Sequence, residues 1–234
     1  STGAFAAAET GAKNVILMIS DGIGFNGWEA ARYSYAGDAL PYDNAGFSFY
    51  GCTTYSANNP AGYNAAEFWS NFNYQKSGAI DSASAATALY TGQKNYDGTI
   101  SVDTTPERNP LTTIAEIAAD LGKSTGSISS VEFSHATPGA VDAHNVSRNN
   151  YAQIANEMIY NSDLDVIMGA GLNASSTEKY VGGVDTLADI TDADGANGFT
   201  YVNSVADFQA LANGTMTADK VLGITVGSTL GESY

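Results

Sequence analysis

Asp81 and Ser82 stand side by side at the mouth of a run of small residues, Ala83-Ser84-Ala85-Ala86-Thr87-Ala88. Small side chains let a helix start come close to a neighbouring sheet and leave its first N–H groups open. Those groups and the helix dipole favour an anion, for which phosphate is the usual occupant. A serine hydroxyl in that position is either a nucleophile or an ordinary N-cap. Taken alone, Asp-Ser before an alanine-rich helix favours the cap.

Four more residues have the right chemistry to meet such an anion. Asp21 follows the apolar run Asn14–Ser20 and opens Asp21-Gly22-Ile23-Gly24. The glycines suggest a dinucleotide loop, but the third glycine is missing and an aspartate at the strand end would repel a pyrophosphate. A metal ligand is the better reading. His135 and Thr137 follow the short strand-like run Ser127–Val131, and Arg148 lies beyond them. Singly, each has a plainer role: Asp21 as a helix cap, His135 as a hydrogen-bonded loop histidine, Thr137 as a turn residue before Pro138, Arg148 as a surface cation. Jointly, at strand ends and helix starts, they are harder to dismiss. Asp189, Asp192 and Asp194 before Gly195 have incomplete spacing for a calcium loop and read better as a solvated acidic loop.

The elements that must position these residues alternate between strand and helix. Asn14–Ser20 is apolar on both alternating faces, as a central parallel strand requires. A helix is expected over Asn26–Tyr35, extended chain over Gly46–Tyr55, and a polar, aromatic loop over Asn58–Tyr74. The Ser82 helix is followed by a turn at Lys94–Gly98. Leu111–Leu121 carries Leu111, Ile114, Ile117, Ala118 and Leu121 at helical spacing, with Gly122 as its stop. Helices over Tyr151–Tyr160 and Ser204–Leu211 and strands over Asp165–Gly169 and Lys220–Val226 complete the pattern, with Asn173–Gly198 mostly loop. The expectation is an α/β fold, a mostly parallel central sheet flanked by helices. Ligands of such folds gather at the carboxyl edge of the sheet, where Asp21, Glu132 to Thr137 and Gly169 would lie.

Composition narrows the function classes. The chain has 234 residues, 9 Lys plus Arg against 25 Asp plus Glu, and a net charge of −16. Such an acidic protein is a poor electrostatic partner for nucleic acid or anionic membranes. Any phosphate site must therefore supply local positive charge, from a metal or a buried arginine. The single cysteine, Cys52, excludes an intrachain disulfide, and the apolar run Val15–Ile19 is too short for a membrane span. Residues 1–13 read as a flexible lead-in, and Ser1-Thr2-Gly3-Ala4 as the start of a processed chain.

Three motifs, in order, resemble the alkaline phosphatase family: Asn14 to Gly24 its first strand and metal-binding Asp-Gly-x-Gly, Asp81 to Ala88 with Thr91-Gly92-x-Lys94 its nucleophile segment, and His135 to Ala140 with Val146-Ser147-Arg148 its magnesium-side loop and phosphate-binding arginine. The likeness spans about Asn14 to Met168, and more faintly Gly198 to Leu211. It implies hydrolysis of phosphate monoesters through a phosphoserine at Ser82, with two zincs and one magnesium. Ser82 and Arg148 would be catalytic, Ser82, Arg148 and Asp81 would bind substrate, and Asp21, Ser82, Thr137 and His135 would face the metals. It also implies a secreted or periplasmic protein.

The family draws its remaining zinc ligands from Asp and His residues of its C-terminal half, whereas this chain has two histidines, His135 and His144. Asp21, Ser82, Thr137 and His135 do not fill two zinc sites and a magnesium site. The chain is therefore expected to be the N-terminal portion of a single phosphatase-like domain, cut after about its first half and completed by a C-terminal fragment of the same precursor or by a second copy. The alternative is a catalytically inactive structural or binding protein on the same scaffold.

Overall fold

The computed structural model describes residues 12–34, 40–43, 46–172, 177–192 and 196–226. The chain divides into two compact units, Ser1–Gly51 and Cys52–Tyr234. Most of the lead-in (residues 1–11), Tyr35 and Asp194 lie outside the described residues.

In the first unit, α1 (Phe25–Ser34) is followed by a single 3-10 turn, Pro41–Asp43. Trp28 of α1 packs its ring 4.5 Å from Tyr42 and 5.9 Å from Phe49. Arg32, in the last turn of α1, pairs with Asp43 at 2.8 Å and also with Glu29. The strand expected over Asn14–Ser20 is not formed. Val15, Ile16 and Met18 are exposed, and the described residues of this unit contain no strand. A strand is a pairing rather than a local shape, and the apolar run has no ladder partner among the described residues of its own unit. Residues 46–55 likewise carry no strand.

The second unit holds the sheet. Its elements run α2 (Ala65–Ser70), α3 (Phe72–Ser77), α4 (Ser82–Thr91), α5 (Ile114–Asp120), β1 (Gly126–Glu132), α6 (Ala136–Gly139), α7 (Tyr151–Tyr160), β2 (Val166–Leu172), α8 (Thr177–Val181), α9 (Val184–Thr191), β3 (Phe199–Val202), α10 (Val205–Ala212) and β4 (Lys220–Val226). The four strands pair in the order β1-β2-β4-β3, all parallel. The fold is α/β, with a parallel sheet and flanking helices.

Side-chain size sets the closest approaches. The expected strand end at Gly169 is instead the middle of β2. A Cβ there would sit 2.8 Å from the Val131 carbonyl oxygen and 2.9 Å from the Phe133 N, so only glycine lets β1 and β2 come together where their register shifts. α7 buries Ile154, Ala155, Met158 and Ile159, positions one turn apart on one face, against a core that includes Phe133, Leu164, Ile167, Leu222 and Ile224.

Other expectations fail for local reasons. The loop expected over Asn58–Tyr74 contains α2 and the start of α3, because Asn64 and Asn71 each cap a helix with the side-chain oxygen. The stretch expected to be mostly loop over Asn173–Gly198 contains α8 and α9. β3, four residues long, is too short to show alternation clearly. α5 forms as expected, fixed by a capping box between Thr113 and Glu116. Its expected apolar face is not what it buries: Ala115 is buried, whereas Ile114, Ile117 and Leu121 are exposed. Among the described residues, no helix is long and apolar enough to cross a membrane.

Candidate active site

α4 brings the central residues into place. Asp81 is its N-cap and accepts the Ser84 N–H at 2.9 Å, while Ser82 is the first helical residue. The cap expected at Ser82 is thus made by its neighbour, because the Asp81 side chain can reach back over the first turn. Ser82 is left half-buried at the helix start. Gly92, with φ at 72°, closes the helix in the left-handed conformation.

The carboxylate of Asp81 is the hub. Its Oδ1 accepts from the Ser84 N–H and lies 2.9 Å from the Ser84 hydroxyl; its Oδ2 accepts from the Gly98 N–H at 3.0 Å and from Arg148 Nη1 at 3.1 Å. Burial by itself would raise the Asp81 pKa. The donors from Ser84, Gly98 and Arg148 outweigh it and hold the carboxyl below its ordinary value. Arg148 is fixed at both ends, since its backbone N–H donates to the Gly98 carbonyl at 2.7 Å. Its Nη2 lies 3.4 Å from His135 Nε2. A guanidinium only donates, so Nε2 turns its lone pair to Arg148, and a neutral His135 carries its proton on Nδ1.

His135 follows β1 at the N-cap position of α6 but makes no side-chain capping bond, and Thr137 lies in α6. Both are half-buried. The second unit therefore brings Asp81, Arg148 and His135 into contact, with Ser82 beside the hub and Thr137 just past His135. Asp21 belongs to the first unit, where it is exposed in a turn with Gly22 at φ 71°.

The stretch Lys94–Gly98, expected only as a turn, is a principal support of the site. Gly98 offers its N–H to Asp81 and its carbonyl to Arg148, and Asp97 Oδ1 lies 2.9 Å from the Ser84 hydroxyl. Below it runs a buried polar layer. Asn95 Nδ2 donates to Thr87 Oγ1 and the Thr99 carbonyl, and the Ser101 N–H donates to Thr87 Oγ1. The Ser101 hydroxyl donates to the Ala140 carbonyl at 2.8 Å, tying this turn to the segment that carries Arg148. The available signal was Asp-Gly within a polar run, which marks a turn without saying what the turn holds.

The alkaline phosphatase family model matches residues 12–230. The chain belongs to the alkaline phosphatase family. It is 33% identical over 203 residues to the alkaline phosphatase of Escherichia fergusonii, covering 85% of this chain and 38% of that protein. It is 43% identical over 96 residues to alkaline phosphatase 4 of Bacillus subtilis, covering 39% of this chain and 20% of that protein. The solved cold-active alkaline phosphatase of Shewanella sp. matches with a TM-score of 0.54 and 32% identity over 76% of this chain and 36% of that one. A variant of TAB5 alkaline phosphatase with magnesium bound matches with a TM-score of 0.60 and 25% identity over 86% of this chain and 50% of that one. The chain thus spans half or less of the length of each of these relatives.

No group of three or more His, Cys, Asp and Glu side chains that could hold a metal ion is found among the described residues of this alkaline phosphatase family chain. Asp21, Ser82, Thr137 and His135 carry a carboxylate, two hydroxyls and an imidazole, donors of the kinds that zinc and magnesium take.

Proposed function

We propose that this chain carries the nucleophile and phosphate clamp of a phosphomonoesterase that works through a phosphoserine at Ser82. The observation that supports it most is the Asp81–Arg148 pair held at the first turn of α4, beside Ser82. A planar guanidinium matches two oxygens of a phosphoryl group, and a carboxylate behind it fixes its plane. The α4 N-terminus adds N–H dipoles facing the same anion. The Ser82 Oγ–phosphorus bond forms as the ester P–O bond breaks, and the alcohol leaves with a proton. Water then cleaves the serine ester and frees phosphate. Arg148 takes up charge on the non-bridging oxygens throughout.

Zinc and magnesium belong to the same proposal. Asp21, Ser82, Thr137 and His135 would be this chain's share of their ligands, and such ions lower the pKa of a hydroxyl or water and neutralise a leaving oxygen. The ligand count requires further donors, which we assign to a C-terminal fragment of the same precursor or to a second copy. The whole of this sequence is read as the N-terminal portion of one such domain, from an exported protein. The test is intact-mass spectrometry with zinc quantification and a phosphatase assay on the purified chain. The expected result is at most one tightly held metal and negligible hydrolysis until the missing piece is added. Full activity with two zincs in a sample of this chain alone would overturn the ligand count.

A further inference from the structure

Outside the clamp lies a half-buried cluster of titratable groups around His144. His144 lies on the segment that runs from α6 to Arg148, with its side chain only 12% exposed. Its Nδ1 is 3.1 Å from Glu157 Oε1 on α7, and its Nε2 is 3.1 Å from the Leu111 carbonyl oxygen. Glu116 Oε2 on α5 lies 3.8 Å from the same Nε2. Both ring nitrogens therefore face acceptors. A neutral imidazole has one N–H and would set its other lone pair against an oxygen, whereas the imidazolium donates at both positions. The geometry calls for the charged form.

From His144 to Arg148 the chain is stitched down. The Asn145 N–H donates to the Ile100 carbonyl at 2.9 Å, and the Ile100 N–H returns a bond of 2.8 Å to the Asn145 carbonyl. Asn145 Oδ1 accepts from the Ser147 N–H and from Asn150 Nδ2, and the Arg148 N–H meets the Gly98 carbonyl. We propose that protonated His144 is a positioning residue for Arg148: it anchors the arginine-bearing segment to α5 and α7, and losing its proton loosens that segment. The consequence for phosphate binding rests on the clamp assigned to Arg148 above; the strap itself rests on this geometry.

The groups facing the strap push it the same way. Burial alone would lower the His144 pKa, but the bonds to Glu157 and Leu111 and the charges of Glu157 and Glu116 raise it above its ordinary 6.5. On the same segment the buried Asp142 accepts the Asp163 N–H at 2.7 Å. Burial, helped by the charges of Glu116 and Asp163 and opposed by that bond and by His144, pushes its carboxyl up to about 7. Both groups hold protons that the unfolded chain gives up sooner. Their stabilisation is present at low pH and is lost as pH rises through about 7 for Asp142 and through the raised value for His144.

With only two histidines in the chain, imidazole nitrogen NMR resolves the question. At pH 6 His144 is expected to show N–H protons on both nitrogens and to titrate above 6.5. Hydrogen exchange of the Asn145 and Arg148 amides, corrected for intrinsic rate and measured with Asp142→Asn to silence that carboxyl, should lose about tenfold in protection as His144 deprotonates, the scale of one hydrogen bond to a charged group. Glu157→Gln should move that loss to lower pH, and His144→Gln, which donates without titrating, should abolish it. A neutral His144 at pH 6, or protection indifferent to its charge, would overturn the proposal. The NMR result stands on the unsubstituted chain should a variant fail to fold. Inorganic phosphate is titrated in parallel with Arg148→Ala as control: pH-linked protection without phosphate binding supports the strap and counts against the clamp.

Discussion

Asp81 and Asp142 are both aspartates of the second unit with a cation nearby, and their carboxyls shift in opposite directions. Asp81, partly open to solvent, gathers two backbone N–H groups, a hydroxyl and Arg148, and its pKa falls. Asp142 is buried with one backbone donor and two acidic neighbours, and its pKa rises to about 7. The carboxylate with more donors keeps its charge, ready to hold a guanidinium at a site that binds an anion. The one with fewer keeps its proton. Donor count, more than distance to a cation, separates the clamp from the strap.

The comparison can be broken most sharply at Asp142. A carboxyl moved from 3.8 to about 7 forfeits on the order of 4 kcal/mol between pH 4 and pH 8, since the stabilisation lies below the unfolded value and is lost through the folded one. Asp142→Asn still accepts the Asp163 N–H and does not ionise. Urea melts should show the variant near parity at pH 4 and more stable by roughly that amount at pH 8. Equal stability at pH 8 would mean that Asp142 ionises without penalty.

A smaller effect of opposite sign is expected at Asp81. Asp81→Ala removes the α4 cap and leaves the Gly98 N–H and Arg148 without this acceptor, costing about 2 kcal/mol at pH 7. Because the Asp81 pKa is depressed, its contribution is present above 3.8 and fades as pH falls through the folded value. The penalty in urea should therefore shrink toward acid pH, and a pH-independent penalty would assign it to packing. Smallest is Thr113→Ala, which removes the side-chain acceptor of the Glu116 N–H but keeps the Thr113 N–H that holds the Glu116 carboxylate. It should cost about 1 kcal/mol in thermal melts and leave the His144 titration in place; an unchanged melting temperature would show that the capping box adds nothing to α5.

How far the sequence reached follows the same division. α4, α7 and β4 were legible because small-residue runs, helical spacing and β-branched runs are local signals. Asp81, Ser82, His135, Thr137 and Arg148 were legible as residues with chemistry to offer, but the contacts among Asp81, Gly98 and Arg148 join distant parts of the chain and leave no local mark. Asn14–Ser20 has the composition of a central strand, and composition cannot supply a pairing partner. Ile114 and Ile117 have helical spacing, but which face of α5 is covered depends on what packs there. His144 could only be read as one histidine of two until Leu111 and Glu157 were placed against its two nitrogens.

The central claim is that Ser82, beside the Asp81–Arg148 clamp, is the phosphorylated residue. Phosphopeptide mapping of the metal-loaded active enzyme during turnover of a phosphomonoester tests it most directly. Phosphate is expected on Ser82 and not on Ser84, and Ser82→Ala should lose the adduct and lower turnover by orders of magnitude while melting as the parent does. Phosphate found on another residue, or unchanged hydrolysis by Ser82→Ala, would contradict the assignment.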